Sequence, residues 1–110
     1  MTGNEYQKLA SRTINKTSNI MDVLYHGVFG LTSEAGEVAG IFQKKYQGHK
    51  IENEHLKKEL GDCMWMIAEI CTACDYDLDE IMQLNIDKLI ERYPDGFDSD
   101  KSLHRKKGDI

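Results

Sequence analysis

Two pairs of acidic residues, each with a spacing of three, are the groups in this sequence best placed to act together. Glu34 and Glu37 lie in "SEAGEVAG", and Glu59 and Asp62 lie in "KKELGDCMW". Residues three apart are neighbours on one face of a helix, so each pair can converge on one point. Like charges about 4 Å apart repel by about 1 kcal/mol in water and about 4 kcal/mol at an effective dielectric of 20, and a cation relieves this repulsion. Oxygen ligands favour Mg²⁺, with Mn²⁺ as a substitute, over zinc.

The elements that must hold these pairs are two helices joined by a short loop. Apolar periodicity predicts one helix from Ile20 to about Gln47, ended by Gly48, and another that starts with Asn53 as N-cap and ends near Asp75. The short connection predicts an antiparallel hairpin, which brings the acidic pairs to similar heights. The core stripe predicted for the first of these helices comprises Met21, Leu24, Val28, Leu31, Ala35, Val38 and Phe42.

The rest of the chain also shows helical periodicity, and no segment alternates like a strand, so the sequence predicts an all-α fold. A first helix is expected over about residues 4–15 and a fourth over about 77–92, where Asp77 and Glu80 have the spacing of a capping box. The length of 110 residues predicts one domain, 1–110. Within it, the C-terminal tail, residues 98–110, has little apolar content and is expected to be ordered only against a partner.

Charge and hydropathy exclude several kinds of partner. The net charge of -5 argues against a nucleic-acid binder, which usually presents a basic face. No apolar run is long enough to span a membrane, and the N-terminus lacks the apolar core of a signal peptide, so a cytoplasmic location is expected. Of the three cysteines, Cys63, Cys71 and Cys74, the last two are expected to be buried thiols, because they continue the apolar stripe of their helix and no second Cys/His pair is suitably placed to complete a zinc site.

Two groups of polar residues could hold phosphate. Lys44 and Lys45 end the second helix, where they could bind phosphate or only favour the helix dipole. Asn85, Lys88 and Arg92 form a one-sided stripe on the fourth helix. An amide, an ammonium and a guanidinium in a row suit the oxygens of a polyphosphate, and a solvated helix face is the alternative.

Aromatic and small residues supply further candidates. Trp65 and Tyr93 could stack on a nucleobase, although Trp65 also suits core or interface packing. Gly27 and Gly30 lie in the same helical sector as the first glutamate pair, which predicts the close approach of either a neighbouring helix or a ligand. Glu69, two turns beyond the second pair, is a candidate outer-shell ligand.

The acidic motifs "EAGE" and "ELGD", separated by twenty-one residues, and the segment "LNIDKLIERYPDGF" resemble the MazG-type all-α nucleoside triphosphate pyrophosphohydrolases. The similarity is to small phage- and Firmicute-like members and extends over about residues 4–97. It implies a bundle of four or five helices with the active site between facing helices, completed as a homodimer or homotetramer. The implied activity is Mg²⁺-dependent hydrolysis of a (deoxy)nucleoside triphosphate to the monophosphate and pyrophosphate, in nucleotide-pool house-cleaning.

The resemblance also implies roles for individual residues. The metal-ligand positions are Glu34, Glu37, Glu59 and Asp62, and the segment that holds phosphates or sugar contains Asn85, Lys88 and Arg92. Glu37 or Glu59 is expected to act as general base toward the attacking water. Tyr25 and Phe29 lie opposite the carboxylates, where a monomer would expose them, and this placement favours oligomerisation.

Other functions remain compatible with the acidic pairs. A phosphoribosyl-ATP pyrophosphohydrolase of histidine biosynthesis would use similar carboxylates on a related substrate. A non-catalytic helical module that senses a metal or a nucleotide could also carry them. A di-iron bundle would need two E-x-x-H motifs on facing helices, and only Glu52 and His55 have that spacing.

Overall fold

The computed structural model describes all 110 residues as an all-α fold without β-strands, which confirms the predicted fold class. The helices are α1 (Gly3–Ala10), α2 (Ile20–Tyr46), α3 (Asn53–Cys74), α4 (Leu78–Arg92) and α5 (Ser99–Leu103), with one turn of 3-10 helix (Ser11–Thr13) directly after α1.

Helix α1 ends earlier than its periodicity predicted. The Ser11 hydroxyl donates to the Lys8 carbonyl and the Thr13 hydroxyl to the Ala10 carbonyl, each over 2.7 Å. Such local side-chain bonds compete with the helical ladder and favour its termination. The α-helix therefore stops at Ala10, and the predicted continuation to about residue 15 was wrong.

The predicted hairpin of α2 and α3 is confirmed. Gly48 adopts a φ of 104° after the end of α2, and its N–H donates to the Lys45 carbonyl, so it ends the helix as expected. The predicted N-cap of α3 was wrong by one residue. Glu52 occupies that position, and its side chain makes no capping bond.

Two glycines allow α2 to approach α3 closely. A Cβ at Gly27 would lie 2.9 Å from Ile70 Cγ1 and 3.3 Å from the Ile70 backbone nitrogen. A Cβ at Gly30 would collide with the side chain of Met66, which is only 2% exposed. Helix packing, and not the approach of a ligand, explains why these positions carry glycine.

Helix α4 docks on α1 through capping contacts that the sequence did not predict. Asp77 occupies the N-cap of α4, but its side chain makes no capping bond, so the expected capping box does not form. Instead, Gln7 Oε1 accepts a 2.8 Å hydrogen bond from Leu78 N–H, and Asn4 Oδ1 accepts one of 3.0 Å from Asp79 N–H. The start of α4 is thus satisfied by side chains of α1.

A small core joins the helices at this end of the molecule. Ala68, Cys71 and Leu78 are buried together, and Tyr6 of α1 packs against them. The three cysteines are free thiols, of which Cys71 is buried and the others are half-buried. Burial raises the pKa of the Cys71 thiol.

Much of the predicted core stripe of α2 is exposed in the single chain. Met21, Val28 and Phe42 are 42–50% exposed, whereas the buried residues of α2 are Val23, Gly27 and Ile41. The stacked rings of Tyr25 and Phe29 are also exposed, as the sequence predicted. Of the rest of the predicted stripe, Leu24, Leu31 and Val38 are half-buried and Ala35 is exposed. The prediction was therefore wrong for part of the stripe, because α2 has apolar residues on more than one face and α3 covers only some of them.

Helix α4 also has an uncovered apolar surface. Its exposed apolar residues are Met82, Leu84, Ile86, Leu89 and Ile90. The helix packs mainly on α1 and projects from the pair of long helices. The Cα radius of gyration is accordingly 17.0 Å, whereas a compact domain of this length would have about 13 Å. No helix has both the length and the apolar composition needed to cross a bilayer.

The C-terminal tail lies against α4 of its own chain. The Arg92 guanidinium forms two 2.8 Å hydrogen bonds with the Asp109 carboxylate, and Lys88 Nζ donates to the Ile110 carbonyl over 2.7 Å. The expectation that the tail needs a partner was based on its lack of apolar residues. It was wrong because charged and polar contacts, not apolar burial, hold the tail in place.

Candidate active site

Helices α2 and α3 bring three carboxylates together across their interface. One oxygen each from Glu34 of α2 and from Glu59 and Asp62 of α3 lies within 4.8 Å of the others, and all three residues are half-buried. We call these residues the acidic cluster. Their convergence follows from the antiparallel hairpin and from the i, i+3 spacing on α3.

Glu37, the fourth predicted ligand, lies one turn further along α2 and outside this group. It is exposed and lines a polar cavity of 310 Å³ together with Lys44 and His55. Lys45 is exposed and does not line this cavity. Of the two predicted phosphate-binding lysines, the structure therefore places only Lys44 in one cavity with a predicted metal ligand.

The electrostatics of the acidic cluster favour a bound cation. Partial removal from water, followed by the negative charges of Asp62 and Glu59, raises the pKa of Glu34 above its ordinary value. His55 Nε2 lies 3.1 Å from Glu59 Oε1, one helical turn away. This contact was not predicted from the sequence, where His55 was considered only for a di-iron motif, although its i, i+4 spacing to Glu59 could have indicated it.

The donor set of the acidic cluster fits a hard divalent cation. All three groups are carboxylates, the ligands that Mg²⁺ and Mn²⁺ prefer, and they come from two rigid helices. Mg²⁺–oxygen distances of about 2.0–2.1 Å put opposite ligands roughly 4.2 Å apart. Adjacent ligands at this bond length lie roughly 2.9 Å apart. The three carboxylate oxygens, which lie within 4.8 Å of one another, would therefore move closer together when the ion binds. Three protein ligands leave coordination positions for water and phosphate oxygens.

An open groove of 650 Å³ begins beside the acidic cluster. It is lined by Asp62 and by Trp65 and Tyr6, which provide aromatic surface. The indole N–H of Trp65 donates to the Thr13 hydroxyl over 2.9 Å, which fixes the ring beneath the N-terminal segment. The predicted aromatic surface thus lies one helical turn from a candidate metal ligand.

The predicted binding residues of α4 do not meet the acidic cluster within one chain. Asn85 is exposed, whereas Lys88 and Arg92 contact the C-terminal tail. Tyr93 packs against Phe97, with ring centroids 5.4 Å apart, and under the Arg92 guanidinium. Because α4 packs mainly on α1, these residues lie on a separate part of the molecule.

A buried hydrogen-bonded carboxylate lies two turns beyond the acidic cluster. Glu69 is 5% exposed, and its Oε2 lies 2.6 Å from His26 Nδ1. The pair joins α2 to α3, and no spacing within either helix could have indicated it. Glu69, predicted as an outer-shell ligand, has His26 as its partner.

Comparison with known proteins gives two similarities and one negative result. Residues 22–97 match the family model described as "MazG nucleotide pyrophosphohydrolase domain". The "Gene 37 protein" of Mycobacterium phage L5 is 32% identical over 74 residues, which cover 63% of this chain and 65% of that protein. The chain therefore spans just under two thirds of this relative's length. No solved structure matches the chain at a significant level.

Proposed function

The chain belongs to the MazG nucleotide pyrophosphohydrolase family, and we propose that it hydrolyses (deoxy)nucleoside triphosphates to the monophosphate and pyrophosphate with Mg²⁺ as cofactor. The observation that carries this proposal is the convergence of Glu34, Glu59 and Asp62. The family match supports nucleotides as the substrate class, and the phage relative fits a small, phage-like member. House-cleaning of the nucleotide pool is the role proposed for this reaction.

Separate groups of the protein would bind the metal, the phosphates and the base. Glu34, Glu59 and Asp62 would hold Mg²⁺, which, when bound, offsets negative charge on the phosphates and lowers the pKa of a water. Lys44, in the cavity next to Glu37, would bind phosphate oxygens. Trp65, fixed by its bond to the Thr13 hydroxyl, would offer a stacking surface for the base.

Glu37 is the better of the two candidates for the general base. It is exposed and lies outside the acidic cluster, so its oxygens would stay available to accept a proton from water. Glu59 is already engaged by His55 and by the other two carboxylates. Glu37→Gln should therefore lower kcat while leaving the affinity for Mn²⁺, measured by electron paramagnetic resonance, nearly unchanged. A large loss of Mn²⁺ affinity would make Glu37 a ligand instead.

We also propose that the active enzyme is a homodimer or homotetramer. Only eight of the 110 residues are buried in the single chain, and α4 and α2 expose large apolar residues. An expanded chain with uncovered apolar faces gains most by burying them against a second copy. In such an assembly α4 of a partner could bring its residue Asn85 to the acidic cluster.

The activity is tested with a panel of standard and modified nucleoside triphosphates, deoxynucleoside triphosphates and phosphoribosyl-ATP. Pyrophosphate and monophosphate are measured with Mg²⁺, with Mn²⁺ and with EDTA, and activity is expected only with metal. Glu59→Gln should lower kcat/KM more than about 100-fold, because even outer-shell partners of a metal are worth about 10–100-fold. Glu54→Gln is the matched control, since Glu54 is exposed on the same helix and pairs only with Lys57.

Two outcomes would overturn the proposal. If wild-type protein cleaves no nucleotide in the panel, it is not a pyrophosphohydrolase of this class. If Glu59→Gln and Glu54→Gln retain equal activity, the acidic cluster is not the active site. Cleavage restricted to phosphoribosyl-ATP would assign the histidine-biosynthesis reaction instead.

A further inference from the structure

The C-terminal tail docks on α4 through charged and polar contacts with Lys88, Glu91 and Arg92. Besides the bonds of Lys88 to Ile110 and of Arg92 to Asp109, Lys106 Nζ lies 3.5 Å from Glu91 Oε1. The Arg92–Asp109 pair is mostly shielded from water, with side chains 11% and 15% exposed. Two parallel bonds to a carboxylate fix both position and orientation, so Arg92 anchors the end of the tail.

Docking of the tail forms a cavity of 190 Å³, open to solvent on one side, between α5, the end of α4 and the last residues. None of its eight lining residues is hydrophobic. Its two carboxylates already have cationic partners, because Asp109 pairs with Arg92 and Glu91 with Lys106. We call this space the tail cavity.

The tail cavity carries an excess of positive charge. Lys101 and Arg105 line it and form no ion pair, whereas His104, which also lines it, has its Nδ1 3.0 Å from Asp100 Oδ1. Residues 99–110 contain four lysine or arginine residues and two aspartates, in a chain whose net charge is -5. The cavity is therefore a local cationic site in an acidic protein, and an anion is the ligand that its charge attracts.

We propose that the tail cavity binds a diphosphate group. A diphosphate offers several charged oxygens to the ammonium of Lys101 and the guanidinium of Arg105, which are strong donors to phosphate. This inference rests on the proposed function for the source of its ligand, since diphosphate is both the inorganic product and the terminal part of the triphosphate substrate. Arg92 is a positioning residue here: it holds Asp109 and thereby completes the cavity.

The placement away from the acidic cluster allows the two sites to be tested apart. Without a cation, Glu34, Glu59 and Asp62 repel a phosphate anion, so diphosphate should not bind to the acidic cluster in the absence of metal. Metal-free binding that is weakened by Lys101→Ala therefore assigns the ligand to the tail cavity, because Lys101 lines this cavity and not the one that contains Lys44. It also separates this inference from the proposed hydrolysis, which requires metal.

The test is isothermal titration calorimetry, in which inorganic pyrophosphate is titrated into the full chain with EDTA at low ionic strength. Wild-type protein should bind, and Lys101→Ala and Arg105→Ala should each weaken binding about tenfold, the effect expected for one hydrogen bond to a charged group. Lys107→Ala is the matched control, because it removes a tail cation that does not line the cavity. Its affinity should stay within about twofold of wild type.

Several results would overturn the inference. One is that wild-type protein binds no pyrophosphate without metal. Another is that Lys107→Ala weakens binding as much as Lys101→Ala, because the tail then acts only as a diffuse positive charge. Amide hydrogen exchange of the tail in each variant shows whether it stays docked. If Lys101→Ala weakens binding only by releasing the tail, the assignment of this side chain to the ligand is wrong.

A second arm distinguishes the source of the diphosphate group. Pyrophosphate and a non-hydrolysable nucleoside triphosphate are titrated with Mg²⁺ into wild-type and Lys101→Ala protein. Weaker binding of both ligands assigns the tail cavity to the terminal phosphates of the substrate, and weaker binding of pyrophosphate alone assigns it to the free product. Unchanged binding of both refutes the inference. Glu59→Gln should keep wild-type affinity for pyrophosphate in EDTA, whatever its hydrolytic activity.

Discussion

Replacement of Gly27 by alanine is expected to destabilise the protein, although the same replacement elsewhere on α2 should stabilise it. In a helix interior, alanine is favoured over glycine by about 1 kcal/mol. At Gly36 nothing lies within 4 Å of the added Cβ, so Gly36→Ala should gain this full amount. At Gly27 the Cβ would meet Ile70 Cγ1 at 2.9 Å and the Ile70 backbone nitrogen at 3.3 Å.

The steric cost at Gly27 can be isolated because the helix propensity gain is the same in both variants. Overpacking of a close contact costs about 1–3 kcal/mol, and the backbone of α3 cannot rotate away as a side chain can. Gly27→Ala should therefore have an unfolding free energy about 1–3 kcal/mol lower than that of Gly36→Ala. Relative to wild type, Gly27→Ala should lose less unfolding free energy than this, because the gain in helix propensity of about 1 kcal/mol offsets part of the steric cost.

The assay is urea denaturation of wild type, Gly27→Ala and Gly36→Ala at one protein concentration, because oligomerisation makes apparent stability depend on concentration. Equal m-values would show that the variants differ in stability and not in the surface exposed on unfolding. The reasoning is refuted if Gly27→Ala is as stable as Gly36→Ala. In that case α2 and α3 are further apart in solution than the close contact requires.

Three further predictions follow from the contacts outside the active site. Gln7→Ala should lower the unfolding free energy by about 1–3 kcal/mol, because Leu78 N–H loses its acceptor, and stability unchanged in thermal denaturation would contradict this capping role. The hydrogen bonds from Arg92 lower the pKa of Asp109, so docking of the tail is at full strength above the ordinary aspartate value of about 3.9 and is lost only as the pH falls through the lowered pKa. The nuclear magnetic resonance signal of Arg92 Nε–H, which donates to Asp109 Oδ2, should accordingly keep its hydrogen-bonded position from neutral pH to about pH 4.5, and release of the tail at higher pH would disprove the pairing. Ile86→Glu should shift the molecular mass measured by light scattering toward the monomer, since Ile86 is 51% exposed on α4, and an unchanged mass would exclude this face of α4 from the interface.

Much of the fold was predictable because helix formation depends on local pattern. The bounds of α2 and α3 follow from apolar periodicity and from Gly48, and the structure matches them within one or two residues. The capping box at Asp77 was predicted from equally local information and was wrong. The acceptor that satisfies the start of α4 comes from Gln7, 71 residues away. Local pattern cannot identify so distant a partner.

The candidate site likewise combines features that local spacing predicts with contacts that depend on distant residues. The spacing of Glu59 and Asp62 by itself put two carboxylates on one face of a helix, and the short loop allowed Glu34 to meet them. Only the tertiary structure left Glu37 outside the acidic cluster and paired the buried Glu69 with His26 of the neighbouring helix.

The sequence by itself determined the all-α class, the hairpin and the convergence of carboxylates, because a helical period and a short connection leave few arrangements. Tertiary structure decided where α4 lies, which cations the tail engages and which apolar faces stay uncovered. The phosphate-binding stripe predicted on α4 illustrates the difference. Its residues Lys88 and Arg92 share one face of the helix as expected, but their partners are Ile110 and Asp109. Periodicity shows which side chains share a face, whereas packing between distant segments decides what that face contacts.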